Sequence, residues 1–267
     1  MLTYDSLVEQ AKIGGMPPAK TRGILREYLQ VLILKGLYKN EEGKRFYFTG
    51  GTYLRLVCGL KRFSEDLDFD VKNITRKEFE KLQKEIKVEL KRIGLETQIE
   101  FSYRENLYVS NLLFPEVEKT YNVVSKYSKK EGIIIKVELN KTEWKIKTET
   151  QVISGFGEFY PCICTEKGTL FANKIDALNK KTRGRHLYDI MFMLSNKYPI
   201  SGDVLKNLGL NKDPLEMISD RVKDLTKEEL SKQAETLRPF LFEESEANML
   251  VNAHEIIPLL IEKYRKK

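Results

Sequence analysis

A run of strictly alternating acidic and apolar residues, Asp66 to Val71, constrains the fold of this chain more than any other feature. Alternation has the period of a β-strand, because successive side chains of a strand point to opposite faces of a sheet. The spacing predicts that Asp66 and Asp68 share one face. The apolar residues of the run face the other way, into a core: Leu67, Phe69 and Val71.

The paired acids of this predicted strand indicate a cation site. Two neighbouring carboxylates repel each other unless a cation lies between them, and Mg²⁺ is commonly held by one or two carboxylates together with substrate phosphates. Asp66 and Asp68 are therefore candidate Mg²⁺ ligands, while Asp70 continues the same face further along. The alternative is a solvated acidic strand face without a ligand.

The segment before these acids has the pattern of a phosphate-binding turn. Phe46 to Phe48 is a short aromatic run with strand character, and Gly50, Gly51 and Thr52 lead from it into a predicted helix. Free backbone N–H groups at a helix N-terminus favour phosphate, and glycine permits close approach of the backbone. Thr52 can add a hydroxyl donor or cap the helix. An ordinary strand-to-helix turn would show the same pattern.

A third carboxylate, Glu138, lies in the β-branched run from Ile133 to Leu139, a predicted strand. A buried acid is unfavourable without a partner, and a third acid would complete a two-metal site. The spacing equally allows Glu138 to lie on an exposed face beside Lys136.

Two charged residues of the C-terminal half lie among apolar ones. Lys174 borders the apolar side of a predicted helix, where a triphosphate or an aspartate could pair with it. Asp189 lies among Leu187, Ile190 and Met191 in the next predicted helix. Taken singly, each is better explained as an ordinary surface charge.

The remaining pattern predicts a mixed α/β N-terminal domain, residues 1–155, and a helical C-terminal domain, residues 156–267. The fold class expected is α/β (α+β), a mixed sheet with flanking helices followed by a helical domain. The predicted helices are 17–36, 52–57, 75–94, 166–181, 185–196, 201–208, 214–224, 226–236 and 245–264. The further predicted strands are 97–103, 107–113 and 133–139.

Composition excludes several classes of protein. The chain has 267 residues, of which 41% are hydrophobic, enough for a packed core. No apolar run reaches the length of about 18 residues needed to span a membrane, and the N-terminus lacks a secretory pattern. Three cysteines and two histidines favour a reducing, cytoplasmic location and argue against a histidine-rich zinc site. The net charge of +7 permits a nucleic-acid partner.

In combination, these motifs resemble a known family, the AbiEii/MenT-type nucleotidyltransferase toxins of the DNA polymerase β-like superfamily. The resemblance covers residues 17–195 and rests on four motifs in order: Gly50-Gly51-Thr52, Arg62-x-Ser64-x-Asp66-x-Asp68-Phe69, Lys174, and Arg185-x-x-Tyr188-Asp189. Residues after about 200 match nothing in it.

The resemblance implies a nucleotidyltransferase-like mixed sheet with flanking helices, followed by a helical C-terminal domain that completes the active-site cleft. It also implies a role for each motif. Asp66 and Asp68, with Glu138, would hold Mg²⁺. Ser64 and the turn of Gly50, Gly51 and Thr52 would bind the nucleotide phosphates. Lys174 would meet the triphosphate, and Asp189 would be the distal acid required for activity.

The function expected is Mg²⁺-dependent transfer of a nucleotide from an NTP to RNA, in particular the tRNA 3′ end, by the toxin of a toxin–antitoxin or abortive-infection system. Its partners would be an NTP, tRNA and a cognate antitoxin. Two alternatives stay open: the same chemistry on a protein or small molecule, and a non-enzymatic partner-binding module on a decayed transferase fold. A basic RNA-binding scaffold is disfavoured, because it has no need of the glycine turn or the paired acids.

Overall fold

The computed structural model describes residues 1–123, 132–142 and 144–266. The chain divides into two compact units. The first comprises Met1–Gly59 and Phe63–Thr165, and the second comprises Leu60–Arg62 and Glu166–Lys267. The division near Thr165 lies ten residues beyond the predicted boundary at 155/156, because the last strand of the sheet extends to Thr165.

The first unit is a sheet with helices. Its helices within the described residues are α1 (Tyr4–Ile13), α2 (Thr21–Lys39), α3 (Gly50–Leu56), α4 (Arg76–Arg92) and α5 (Val117–Thr120). Its strands are β1 (Phe46–Thr49), β2 (Asp66–Val71), β3 (Gln98–Arg104), β4 (Leu107–Phe114), β5 (Ile133–Lys141), β6 (Thr148–Gly155) and β7 (Glu158–Thr165).

The seven strands form one mixed sheet in the order β3-β4-β5-β2-β1-β7-β6. The pairs β2–β5 and β1–β7 are parallel, and the other pairs are antiparallel. The acidic strand β2 therefore lies at the centre, between β1 and β5. The predicted mixed α/β class is confirmed.

Side chains of the core follow the predicted alternation. Leu67, Phe69 and Val71 of β2 are fully buried. Helix α2 is buried on several sides, as its apolar sequence predicts, and its Tyr38 hydroxyl lies 2.9 Å and 3.0 Å from the carbonyl oxygens of Phe46 and Ile163. The central strands are thus fixed against α2.

Local signals predicted α4 well and three other elements poorly. Thr75 and Glu78 form a reciprocal capping box at the start of α4, where the predicted helix 75–94 begins. Helix α1 and the hairpin of β6 and β7 were not predicted. The predicted domain boundary at 155/156 falls in the turn of that hairpin, at Gly155 to Gly157.

The second unit is helical. Its helices within the described residues are α6 (Lys167–Lys180), α7 (Gly184–Ser195), α8 (Gly202–Asn207), α9 (Pro214–Lys223), α10 (Lys227–Leu237), α11 (Asn248–Val251) and α12 (Ala253–Arg265). The single helix predicted for 245–264 is wrong, because the segment divides into a 3₁₀ turn, α11 and α12, with a break at Asn252. None of the described helices has both the length and the apolar character that crossing a bilayer requires.

Candidate active site

The glycine turn lies against the acidic strand. Gly50 begins α3 directly after β1 and has a φ of +78°, a conformation that favours glycine. A Cβ at Gly50 would lie 2.1 Å from Oδ2 of Asp68, closer than any carbon–oxygen contact permits. The backbone can therefore meet the Asp68 carboxylate only because residue 50 is glycine.

Two threonines flank this turn in different ways. The Thr52 hydroxyl is buried and donates to the backbone carbonyl of Asp66, which ties α3 to β2. Thr52 does not cap α3, because the N-cap residue is Thr49. The buried Thr49 hydroxyl has no hydrogen-bond partner among the described residues. Thr49 is thus a buried polar group beside the turn with unused hydrogen-bonding capacity.

The three predicted metal ligands lie on neighbouring strands. Asp66 and Asp68 alternate with the buried apolar residues of β2 and share its other face. In the parallel pairing of β2 with β5, Asp68 lies opposite Glu138 and Asp66 lies opposite Lys136. The structure therefore brings Asp66, Asp68 and Glu138 together on one face at the centre of the sheet.

The Lys136 ammonium neutralises this acidic cluster. Its Nζ lies 3.5 Å from Oδ2 of Asp66 and 3.2 Å from Oε1 of Glu138. Burial lowers the pKa of Lys136, but Asp66 and Glu138 outweigh that effect and raise it above the usual value. Within the described ranges, no three His, Cys, Asp or Glu side chains are arranged to hold a metal ion. A lysine cation bridges two of the acids instead.

Ser64 lies in the connection leading into β2, and its backbone is held by a residue that the sequence did not single out. The side-chain amide of Gln30, a buried residue of α2, donates to the carbonyl oxygens of Ser64 and Glu65, each at 3.0 Å. Arg26 of the same helix pairs with Glu65 at 3.0 Å. Helix α2 therefore fixes the two residues immediately before Asp66.

Asp70 has a separate environment, although it lies on the same strand. It is buried, and its Oδ2 accepts a hydrogen bond from the Thr165 hydroxyl at 3.0 Å. Burial raises the pKa of Asp70 to about 6, and the Thr165 bond counteracts only part of this effect. Asp70 is thus part of the sheet packing rather than of the acidic cluster.

In the second unit, Lys174 and Asp189 form an ion pair. Lys174 Nζ of α6 lies 2.8 Å from Oδ2 of Asp189 on α7. Arg62 donates to both oxygens of the same carboxylate, at 2.7 Å and 2.8 Å. Asp189 is fully buried, and burial would raise its pKa, but the charges and hydrogen bonds of Arg62 and Lys174 hold it at about 2. Asp189 is therefore a buried, ionised acid.

The family to which the chain belongs follows from its sequence as a whole. Residues 32–250 match the family described as "Nucleotidyl transferase AbiEii toxin, Type IV TA system". This chain belongs to the AbiEii nucleotidyltransferase toxin family. The resemblance inferred from the motifs is thereby confirmed, and the chain is a nucleotidyltransferase whose membership implies an NTP substrate and an antitoxin partner.

Solved structures agree with the AbiEii assignment at the level of the fold. The crystal structure of JHP933 from Helicobacter pylori is 20% identical, with a TM-score of 0.57 over 92% of this chain and 94% of that one. A putative nucleotidyltransferase from H. pylori is also 20% identical, with a TM-score of 0.59 over 92% and 97%. MenT4, a nucleotidyltransferase toxin from Mycobacterium tuberculosis H37Rv, is 15% identical, with a TM-score of 0.58 over 100% and 93%. A comparison with curated protein sequences gives no match.

The structure thus gathers the predicted residues of this AbiEii protein into two groups, one in each unit. Gly50, Thr52, Asp68 and their neighbours form the first group, and Lys174 with Asp189 forms the second. That both groups act on one nucleotide stays a prediction. Sequence reasoning gave no role to Gln30 or Arg62, although Gln30 is a polar residue in an apolar helix and Arg62 begins the quoted motif.

The stability of the protein should depend on pH through His186, a neutral histidine beside Lys174 and Asp189. Burial, together with the charges of Lys174 and Arg185, lowers the pKa of His186 to about 4. Its unfolded-state pKa is higher, so the unfolded chain binds more protons between the two values and stability falls as pH drops through that window. After allowance for solvent screening, we expect the wild type to lose about 1 kcal/mol more than His186→Asn between pH 7 and pH 5.

Urea unfolding at the two pH values measures this difference. Asparagine at position 186 can keep the hydrogen bond that joins Nδ1 of His186 to the Lys181 carbonyl at 3.0 Å. Equal losses in the two proteins would show that His186 is protonated as readily in the folded state as in the unfolded chain.

Proposed function

We propose that this toxin transfers a nucleoside monophosphate from an NTP to RNA, with the 3′ end of tRNA as the acceptor, in a Mg²⁺-dependent reaction that releases pyrophosphate. The observation that carries the proposal is the acidic cluster of Asp66, Asp68 and Glu138 beside the Gly50 turn. The hydroxyl oxygen of the acceptor would form a bond to the α-phosphorus of the NTP. The bond from that phosphorus to the oxygen bridging the α- and β-phosphates would break, and the proton of the acceptor hydroxyl would leave to solvent.

The donors of the acidic cluster fit Mg²⁺. They are carboxylate oxygens, the ligands that this ion prefers, and the contacts of the Lys136 ammonium with Asp66 and Glu138 support a cation-binding role for these two acids. When bound, Mg²⁺ would neutralise phosphate charge and favour ionisation of the attacking hydroxyl. Asp66, Asp68 and Glu138 would hold it, and Lys136 would withdraw from them.

The other residues would bind and orient the triphosphate. The backbone N–H groups of Gly50 and Gly51 can approach phosphate oxygens closely, and Thr49 has a hydroxyl with unused hydrogen-bonding capacity at the same turn. Ser64, whose backbone is held by Gln30 just before Asp66, would bind the nucleotide phosphates. Thr52 would contribute indirectly, because the hydrogen bond from its hydroxyl to the Asp66 carbonyl joins α3 to β2. Lys174 would meet the triphosphate, and Asp189 would orient Lys174.

A lysine-rich segment of the sequence, together with the net charge of +7, supports RNA as the acceptor. Lys136 and Lys141 of this segment belong to β5, and Lys145 follows it. Its other members lie outside the described residues: Lys126, Lys129 and Lys130. The choice of tRNA rests on the resemblance to toxins that modify its 3′ end. NTPs and tRNA meet in the cytoplasm, which is the location we propose.

Incubation with total tRNA, Mg²⁺ and each NTP in turn tests the proposal. We expect tRNA to take up label from one or more NTPs carrying ³²P at the α-phosphate, and none from the same NTPs labelled at the γ-phosphate. Limited digestion from the 3′ end should release the label first. A chelator of divalent ions should abolish the reaction.

The same assay distinguishes the alternatives. Label on protein or on a small molecule would keep the chemistry and replace the acceptor. Absence of α-label from every fraction, with all four NTPs and with Mg²⁺ present, would contradict the proposed transfer and favour a partner-binding role.

A further inference from the structure

We propose that Arg62 is a positioning residue that frees Lys174 to bind the triphosphate, because it keeps the buried Asp189 carboxylate paired when the lysine leaves. The inference rests on the proposed function, in which Lys174 meets an NTP. It assigns a role to the first residue of the Arg62-x-Ser64 motif and to the C-terminal segment that holds it.

The Asp189 carboxylate faces two cations, Arg62 and Lys174. The positive charge of Arg185 also acts here, since burial and the charges of Lys174 and Arg185 lower the pKa of His186. A carboxylate that has two cationic partners can keep one of them while the other turns to an anionic ligand such as a triphosphate.

The two cations are held differently. Arg62 forms two hydrogen bonds to Asp189 through its planar fork, at 2.7 Å and 2.8 Å, and its side chain is 4% exposed. Lys174 makes one contact to Asp189, at 2.8 Å, and its side chain is 13% exposed. A forked, bidentate arginine is a fixed partner, whereas an ammonium on a flexible stem can reorient. Lys174 is therefore the cation that can move.

Arg62 determines how unfavourable that movement is. Asp189 is fully buried, and a buried carboxylate without a partner is strongly destabilised. With Arg62 in place, both oxygens of Asp189 stay hydrogen-bonded after Lys174 turns to a phosphate. Without Arg62, Lys174 would be held on the carboxylate, and nucleotide binding would have to break that pair.

The backbone of Arg62 is anchored by the C-terminal part of the second unit. Arg62 pairs with Leu241 in an isolated antiparallel bridge, and the N–H of Phe242 donates to the Lys61 carbonyl at 3.0 Å. Leu241 and Phe242 are buried. The segment after α10 thus fixes Arg62 relative to Asp189, which gives residues beyond 200 a connection to the site.

Titration with ATP, GTP, CTP and UTP in the presence of Mg²⁺ tests this role without relying on turnover. We expect Arg62→Met to weaken the affinity for the preferred NTP at least about fivefold. In a Lys174→Ala background the same change should have less than about a twofold effect, since the lysine through which Arg62 acts is absent. A general structural disturbance would weaken binding in both backgrounds.

Two further variants keep the test decisive. Arg221→Met removes another arginine of the second unit, one whose Nε donates to the Thr182 hydroxyl at 2.8 Å, and should leave the affinity unchanged. If Arg62→Met does not fold, Arg62→Lys keeps a positive charge beside Asp189 but cannot form both hydrogen bonds of the guanidinium. We expect Arg62→Lys to weaken the affinity for the NTP at least about threefold, and to have less than about a twofold effect in the Lys174→Ala background.

Three results would overturn the inference. A folded Arg62→Met variant that binds the NTP as tightly as the wild type would show that Lys174 does not depend on Arg62. A loss of affinity that is equally large in the wild-type and Lys174→Ala backgrounds, for a folded Arg62→Met or Arg62→Lys variant, would indicate that Arg62 contacts the nucleotide directly. If the wild type binds none of the four NTPs, the proposed function falls and this inference falls with it.

Discussion

Replacement of Asp66 by alanine is expected to reduce nucleotide transfer at least about a hundredfold, because a lost metal ligand removes several kcal/mol of transition-state stabilisation. Asp66 and Asp68 are the acids of the central strand that belong to the acidic cluster, and the ammonium of Lys136 pairs with both Asp66 and Glu138. The measurement is the rate of α-label transfer to tRNA at saturating NTP.

The Asp66→Ala variant should stay folded. Asp66 is 25% exposed, and its ion pair with Lys136 is long, so its loss should change the free energy of unfolding by no more than about 1 kcal/mol. Lys136 keeps Glu138 as a partner. The hydrogen bond from Thr52 is made to the backbone carbonyl of residue 66 and survives the substitution.

Asp70→Asn is the matched control on the same strand. Asp70 is bonded to Thr165 and lies outside the acidic cluster, and asparagine can still accept that hydrogen bond. Transfer by Asp70→Asn should equal that of the wild type. If a folded Asp66→Ala variant transfers nucleotide at the wild-type rate, Asp66 is not a required metal ligand and the proposed metal site is wrong.

Much of the first group could be predicted because its signals are local. The alternation in β2 fixed both the strand and the face of Asp66 and Asp68, and the capping box marked the start of α4. Parallel pairing with β5 then placed Glu138 beside Asp68, a register that no local pattern specifies.

Elements without a local signal could not be predicted. In β6 and β7, burial does not follow the polarity of the side chains. Phe159 and Val152 are apolar but exposed. Glu149 is charged but half-buried, and it accepts a hydrogen bond from the Tyr53 hydroxyl. The pairing of Arg62 with Asp189 joins residues 127 positions apart, and it depends on the helical packing of the second unit.

Replacement of Lys174 by alanine is expected to weaken NTP binding at least about tenfold, which corresponds to about 1.4 kcal/mol. Charge-assisted contacts to phosphate typically contribute that much, and the partly buried ammonium of Lys174 is screened less than a surface charge. Fold stability should change little, because Arg62 keeps two hydrogen bonds to Asp189. The affinity is measured by titration with the preferred NTP.

Lys180→Ala provides the matched control for Lys174→Ala. Lys180 lies on the same helix, α6, and it also pairs with an aspartate, Asp176, at 2.7 Å, but its side chain is 70% exposed. The control should bind the NTP with wild-type affinity, since a solvated lysine already paired on its own helix has no reason to meet the ligand. Equal affinities of both variants and the wild type would show that Lys174 only balances the charge of Asp189. A loss confined to Lys174→Ala would place the triphosphate at the cation that Asp189 and Arg62 keep available.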